Sequence, residues 1–461
     1  MNDLIGLEGI KRIHFVGIGG SGMSPLAEIL HARGYALSGS DNNESDNLAR
    51  IRALGIPVAM GQRAENIAGA QLVVYTAAIP ADCPELTAAR DAGIPLIERA
   101  ALLGQITRQF GNTVAVAGTH GKTTSTSMLA QILLDAGRDP SLFIGGRLPL
   151  IGANGHAGTE DTMICEACEF KDHYLQMTPR ISIILNVDAD HLDYFGDLDG
   201  VIRSFHRFAE QTTGAVIYNA DDGNTRRAVD GITGKRLIAF GLSDGCAWQA
   251  RDVREEDAYG VYTLCHDGQS LGEIRLGVPG LHNVANSVAV AAAADLCGMT
   301  FAQIRDGIAA FRGAGRRFEF LGTFAGVTVA DDYAHHPTEI EATLRAAKDM
   351  PHRQVWAVFQ PFTYSRTAQH LDEFAAALSH ADHAVISKIM GSREKNEWGV
   401  TAQQIADRME NGVAIDEFAD IAEFVAARVQ PGDLVLTMGG GDVYKCARMI
   451  RARLEEKEKQ N

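Results

Sequence analysis

No stretch of this 461-residue chain is apolar for long enough to cross a bilayer as a helix. Positive charge is in deficit. The chain has 42 Lys and Arg against 58 Asp and Glu, a formal charge of −16. That balance argues against nonspecific binding of nucleic acid or of acidic membranes. An anionic substrate remains compatible with it, because a local cluster of Arg and backbone N–H groups suffices to hold one. The N-terminal MNDLIGLEGIKR lacks a basic segment followed by an apolar one, so no secretory signal is read there and a cytoplasmic protein is expected. Cysteine is sparse, seven residues in all, an odd number that suits reduced thiols. Cys165 and Cys168 form a C-x-x-C with no second pair at zinc-finger spacing, and are read as small buried residues on a strand. No repeat and no low-complexity segment is present.

The stretch that carries most chemistry is 113–137, TVAVAGTHGKTTSTSMLAQILLDAG. It opens with β-branched and small apolar residues, as a buried parallel strand does. The turn Gly118-Thr119-His120-Gly121-Lys122-Thr123-Thr124 follows, and Met128, Leu129, Ile132 and Leu133 then recur at helical spacing. Gly137 suits the position just past the helix end. A strand, a Gly-rich turn and a helix start bearing Lys-Thr describe a phosphate cradle, since backbone N–H groups and the helix dipole both attract an anion. Lys122 then reaches the outer phosphates and the Thr123 hydroxyl ligates Mg²⁺. The turn is shorter than the usual G-x-x-x-x-G-K-[ST], with Val116 where the first Gly stands.

A second Gly-rich turn lies upstream. The strand that begins KRIHFVG runs into Gly17-x-Gly19-x-x-Gly22, a helix is expected over 23–33, and the strand after it ends at Asp41. An acidic residue about 20 positions after such a turn is the mark of a nicotinamide dinucleotide site. The same turn also suits another diphosphate, such as that of a nucleotide sugar, so a dehydrogenase and a nucleotide-sugar enzyme both stand at this point.

Length predicts two to four domains. The first αβ series closes near Gln105, the phosphate turn opens the second, and a third begins near Gly313, giving 1–105, 106–312 and 313–461. In the second, strands over 163–167 and 181–186 end in acidic residues beside the turn. Strand C-termini of parallel sheets are where ligands bind. Glu166 and His191 are therefore candidate Mg²⁺ ligands with Thr123, His191 being the less usual member because Mg²⁺ prefers oxygen. Residues 245–276 alternate and contain turn residues, as an antiparallel sheet edge or a hairpin does. His282, Asn283 and Asn286 are either polar readers of a base or a helix N-cap cluster. Later, Pro337 with Thr338 and Glu341 is read as a helix start, and 455–461 as a frayed charged tail.

GTHGKTT, the Glu166 strand, DADHLD, HNVAN, RRF, DDYAHHPTE and FQPFTYSRT occur in the order found in the Mur ligase family, and the chain resembles that family over essentially its whole length. The resemblance implies three α/β domains: a Rossmann-like N-terminal one for a UDP-sugar, a P-loop ATPase-like central one with a mainly parallel sheet, and a Rossmann-like C-terminal one. It implies an ATP- and Mg²⁺-dependent ligase that activates the lactyl carboxylate of UDP-N-acetylmuramate as an acyl phosphate, which the amine of an amino acid, L-alanine, then attacks. By the same resemblance Gly17, Gly19, Gly20, Ser21, Gly22, Met23 and Asp41 serve the UDP-sugar, and His191 a second metal. Asn286 meets the adenine, with Asn283 also at the nucleotide; Arg317 meets the phosphates and Asp332 the ribose. Arg366, with Tyr333 and His335 nearby, anchors the amino-acid carboxylate. Three positions bear on the details. Leu281 replaces an Arg usual in the family. No Lys stands in 203–207, where later-acting members carry a CO₂-modified one. Phe362-Thr363 replaces His-Arg near the amino-acid site, leaving glycine, serine or a peptide as alternative acceptors.

Overall fold

The computed structural model describes residues 7–392 and 394–460. The first six residues, within the stretch read for a signal, and the chain's last residue lie outside them. The chain forms two compact units, one of Met1–Arg251, Thr263–Ile274 and Ala285–Ala310, the other of Asp252–Tyr262, Arg275–Val284 and Phe311–Asn461. Three sheets run through it, in agreement with a three-domain α/β fold. Among the described residues no helix is long and apolar enough to cross a membrane.

The first sheet contains β1 (Arg12–Val16), β2 (Ala36–Asp41), β3 (Val58–Met60), β4 (Leu72–Tyr75) and β5 (Leu96–Glu98) in the order β3-β2-β1-β4-β5. All its pairings are parallel. Strand order reverses beside β1, so the Gly17–Gly22 turn at the end of β1 sits at the switch point where such sheets bind ligands. Buried Ile13, Phe15, Leu26, Leu30, Leu72 and Val74 form the core beneath it.

The second sheet comprises β6 (Asn112–Ala117), β7 (Ser141–Leu148), β8 (Ala153–His156), β9 (Thr162–Glu166), β10 (Ile181–Ile184), β11 (Ala215–Asn219), β12 (Arg236–Gly241), β13 (Trp248–Glu256), β14 (Tyr259–His266) and β15 (Gln269–Pro279). Its order is β15-β14-β13-β12-β11-β10-β6-β9-β7-β8. β6 lies parallel between β10 and β9, with Val116 opposite Glu166 and Ala117 opposite Ile184. That register delivers the phosphate turn and both acidic strand ends to one edge of the sheet. The helix Lys122–Asp135 follows the turn and ends in a Schellman arrangement. Gly137 is left-handed (φ 76°), its N–H donates to the Leu134 carbonyl, and the Arg138 N–H donates to that of Leu133.

The third sheet, in the second unit, has β16 (Glu319–Phe324), β17 (Val327–Asp332), β18 (Val355–Phe359), β19 (His383–Ile386), β20 (Gly412–Ala414) and β21 (Leu434–Met438) in the order β16-β17-β21-β18-β19-β20. β16 is antiparallel and the rest are parallel. Asp332, Met438 and Phe359 stand abreast on neighbouring strands, so three strand ends converge.

Several local expectations are corrected. Residues 245–276 hold parts of three strands at one edge of the second sheet, more than one hairpin, and β7, β8 and the helix Arg99–Thr107 were not anticipated. The cap before Pro337 uses Glu339, whose carboxylate accepts the N–H groups of His335 (3.1 Å) and His336 (3.4 Å), while Glu341 pairs with Arg345. Residues 455–460 continue the helix Tyr444–Gln460 beyond its buried Ile450 and Leu454.

Candidate active site

The phosphate turn owes its shape to two close approaches. Gly118 has φ 145°, and a Cβ there would come within 2.9 Å of the Leu185 side chain on the segment after β10. Gly121 has φ 82°, and a Cβ there would sit 3.0 Å from the Asn286 amide. Asn286 thus borders the turn from the helix His282–Leu296. Asn186 grips the other side. Its side chain accepts the His120 N–H (2.8 Å) and donates to the His120 carbonyl (3.0 Å), while its own carbonyl accepts the Thr119 N–H (3.1 Å). The Thr119 hydroxyl in turn accepts the Asp188 N–H at 2.9 Å. Thr124 lies in the first turn of the helix Lys122–Asp135.

Lys122 donates to the carbonyls of Gly118 (2.6 Å) and Thr119 (3.0 Å) and to Glu169 (3.0 Å). Burial penalises its ammonium, but the charges of Glu169 and Glu166 outweigh that penalty and hold its pKa above the ordinary lysine value. Glu169 was not singled out from the sequence. It lies three residues beyond Glu166, and only the path of the chain after β9 brings it to the lysine.

The Thr123 hydroxyl donates to Glu166 at 2.8 Å, and the same carboxylate oxygen accepts the Gly145 N–H at 2.8 Å. A hydroxyl and a carboxylate at the phosphate turn are hard oxygen donors that fit Mg²⁺. His191 is placed differently. It is left-handed (φ 55°), its ring packs edge-on against Phe170 with centroids 4.8 Å apart, and its Nε2 is 3.7 Å from Asp190. Among the described residues no group of three His, Cys, Asp or Glu is arranged to hold a metal ion. Cys165 is buried on β9, its thiol pushed up to about 12 by burial and the Glu166 charge, and burial pushes Cys168 up to about 11.

In the first Gly-rich turn, the N–H groups of Gly17 and Ile18 donate to the Ser40 carbonyl (2.8 and 3.0 Å). Asp41 accepts the Gly19 N–H (2.9 Å) on one oxygen and the Asn43 N–H (3.0 Å) on the other. These bonds hold the turn against the end of β2, and the carboxylate keeps acceptor capacity for a further donor. Gly20, Ser21, Gly22 and Met23 line a cavity of about 420 Å³ whose far wall includes Gly145 and Glu166. Arg99 and His173 also line it and were missed in the sequence, since neither belongs to a motif. Burial lowers the His173 pKa.

In the second unit, Arg316 donates to Asp331 (2.9 Å) and to the carbonyls of Gly441 (2.8 Å) and Gly439 (2.7 Å), clamping the glycine loop after β21. Its neighbour Arg317 lies over the Tyr333 ring, 5.0 Å from the centroid. Asp332 accepts the N–H groups of Phe318 (2.6 Å) and Ala334 (2.7 Å), so a ribose hydroxyl would be a third partner. Burial, opposed by the Arg317 charge, raises its pKa to about 6. His335 packs edge-on against Tyr333 and Phe362, with centroids 5.3 and 6.3 Å away. Arg366 is on the short helix Tyr364–Gln369, entered through the left-handed Thr363 (φ 65°). Asn283 donates to the Pro279 carbonyl at 2.8 Å, just inside the start of the helix His282–Leu296.

Family models match nearly the whole chain: the Mur ligase family catalytic domain over 12–111, the Mur ligase middle domain over 116–294 and the Mur ligase glutamate ligase domain over 316–441. The chain belongs to the Mur ligase family. This Mur ligase is 42% identical over 462 residues to the UDP-N-acetylmuramate–L-alanine ligase of Caldanaerobacter subterraneus subsp. tengcongensis, covering 99% of this chain and 100% of that one. Its fold is similar to the UDP-N-acetylmuramate–alanine ligase structure from Thermotoga maritima, with TM-score 0.83 and 28% identity over 97% of this chain and 99% of that one. It is also similar to the murein peptide ligase of Psychrobacter arcticus, with TM-score 0.74 and 26% identity over 97% and 99%. Gly17, Gly19 and Gly22 thus belong to a Mur ligase, and the dehydrogenase reading falls.

Proposed function

We propose that this Mur ligase joins L-alanine to the lactyl carboxylate of UDP-N-acetylmuramate, with ATP cleaved to ADP and phosphate, in peptidoglycan precursor synthesis. The observation that carries this reading is the cavity shared by the Gly20–Met23 turn and Glu166, the carboxylate that accepts the Thr123 hydroxyl, in a chain 42% identical over its length to an alanine-adding relative. The lactyl carboxylate attacks the γ-phosphorus and ADP leaves with the bridging electron pair. The alanine amine then adds to the acyl carbon, and the tetrahedral adduct expels phosphate to form the amide.

A carboxylate approaching a triphosphate is repelled, so catalysis is chiefly charge neutralisation and positioning. Lys122 supplies a buried positive charge beside the turn, and the N–H groups at the start of the helix Lys122–Asp135 would cradle the phosphates. Thr123 and Glu166 would hold Mg²⁺, which when bound neutralises phosphate charge, and His191 is assigned to a second metal. Asn286 is assigned to the adenine, Arg317 to the phosphates, Asp332 to the ribose, and Arg366 with Tyr333 and His335 to the amino-acid carboxylate. The working division is 1–105 for the UDP-sugar, 106–312 for ATP and 313–461 for ligation. A cytoplasmic location follows from the reading, because its nucleotide substrates are intracellular.

A second acceptor reading rests on Phe362, which stands where the resemblance leads one to look for a ring nitrogen. Phosphate release decides between them, measured with ATP, Mg²⁺, UDP-N-acetylmuramate and alanine, glycine, serine or a peptide in turn. Release requiring all components, fastest with alanine, is expected. A tenfold advantage for another acceptor would establish the second reading, and no release with any of them would overturn the ligase.

A further inference from the structure

The two walls of the cavity are tied together by one buried side chain that belongs to neither Gly-rich turn. Asn154, on β8, is 7% exposed. Its amide nitrogen donates to the Ser21 carbonyl in the first turn at 2.5 Å and to the Ile144 carbonyl on β7 at 3.4 Å. The two N–H groups of a primary amide lie in one plane at a fixed angle. Holding two carbonyls, they act as a strut of set length.

The surroundings are built for this approach. A Cβ on Gly155 would come within 2.4 Å of Pro25, so only glycine lets β8 lie against the start of the helix Ser24–Ala32. A Cβ on Gly145 would come within 2.5 Å of Glu166, so only glycine lets the carboxylate reach the β7 backbone. The hairpin β7–β8 therefore touches the first Gly-rich turn through β8 and the Thr123–Glu166 pair through β7.

In a trans peptide the carbonyl of one residue and the N–H of the next point in opposite directions. Drawing the Ser21 carbonyl toward β8 thus sets the direction of the Gly22 N–H. Among the described residues the N–H groups of Ser21 and Gly22 have no protein acceptor, and both residues line the cavity. We infer that Asn154 is a positioning residue for the nucleotide sugar: it orients the Ser21–Gly22 peptide to donate to an anionic oxygen of the UDP diphosphate and ties that turn to β7, whose Gly145 N–H donates to Glu166. The inference rests on the proposed function, which puts a UDP-sugar in this cavity.

The test is equilibrium binding of UDP-N-acetylmuramate, UDP, uridine and a fluorescent ATP analogue to the wild-type chain, Asn154→Ala, Asn154→Asp and Asn154→Gln, each checked for a cooperative melt. Asn154→Ala should bind UDP-N-acetylmuramate and UDP roughly tenfold more weakly, as expected for misaligned hydrogen bonds to a charged group. Uridine and the ATP analogue should change by less than about twofold, because neither places a phosphate on Ser21–Gly22. Asn154→Asp should be worse than Asn154→Ala, because a carboxylate set between two carbonyls repels both. A mere packing role reverses that order, since Asp keeps the shape and Ala does not. Asn154→Gln keeps the amide but shifts it by a methylene, and should show the same selective loss with no change in charge. Unchanged UDP affinity in the variants, or equal losses for UDP and uridine, would overturn the role of Asn154 alone. Failure of the wild-type chain to bind UDP-N-acetylmuramate would overturn the functional reading and this one with it.

Discussion

Glu169 holds the Lys122 ammonium with both carboxylate oxygens, at 3.0 and 2.9 Å, in a setting where the two side chains are only 4% and 13% exposed. With the Gly118 and Thr119 carbonyls, the pair commits all three lysine protons to protein acceptors. An ion pair this well covered behaves asymmetrically: removing one partner leaves a buried charge uncompensated, while removing both does not.

Lys122→Ala should therefore lose stability as well as activity. Turnover should fall about 10²–10³-fold, as for loss of one preorganised electrostatic contact. Unfolding free energy should fall by about 3–5 kcal/mol from the stranded Glu169. The double variant Lys122→Ala/Glu169→Ala should recover most of the stability and none of the activity. Denaturant melts beside phosphate-release rates check this, and a double variant no more stable than Lys122→Ala would show that the pair is not coupled.

Glu166→Ala and His191→Ala should each lower activity and raise the Mg²⁺ concentration needed for half-maximal rate. Glu166 shares one oxygen between the Thr123 hydroxyl and the Gly145 N–H, so its loss also frees β7. A magnesium titration of steady-state rate is the measurement. Unchanged requirements in both variants would put the metal elsewhere.

Asp332 gives a pH prediction. Its folded pKa is raised from 3.8 to about 6, by burial against the opposing Arg317 charge. Between those values the folded state binds more protons than the unfolded state, so this residue's contribution to stability falls as pH rises from about 4 to about 6. Asp332→Asn removes that slope, although it also loses one of the two backbone bonds to Phe318 and Ala334. The difference in melting temperature between wild type and Asp332→Asn should therefore shrink as pH rises through this window. A difference that is flat or grows with pH would contradict the assignment.

The acceptor site should be read in kinetics. Arg366→Ala should nearly abolish activity, and alanine should be preferred with a Michaelis constant on the high side, one cation serving where two are usual. A charge-assisted hydrogen bond contributes about 1.5–3 kcal/mol. Glycine and serine should be poorer by ~10–200-fold, since one methyl or hydroxyl gives no more selectivity than that. Phe362 and His335 pack about the same glycine, each 3.3 Å from where a Gly440 Cβ would sit, so Phe362→His should be accommodated and should lower the alanine Michaelis constant. Full activity in Arg366→Ala would remove it from the site.

What the chain revealed by itself was local. The strand 113–117, the turn 118–124 and the helix after it are consecutive, and β-branching, Gly at left-handed positions and Lys-Thr at a helix start are legible one residue at a time. The family motifs extended that reading to the fold and the reaction, because the turn and the strand ends that carry chemistry are short and contiguous. The helix cap near Pro337 was placed two residues off, since Glu339 and Glu341 offer the same side chain and only the backbone path decides which one turns back. Other relationships depend on tertiary assembly, and of these only the meeting of Thr123 with Glu166 is expected from the sequence. Thr123 meets Glu166 because β6 and β9 pair with Val116 opposite Glu166. Glu169 reaches Lys122, and Asn186 the phosphate turn, through the courses of separate loops. Asn154 reaches Ser21 across 133 residues, on a strand of four residues that is too short to announce itself by periodicity. A glycine in sequence marks only freedom. Whether that freedom serves a turn, a carboxylate or a proline packed from another element depends on which elements approach, and that is decided when the sheets assemble.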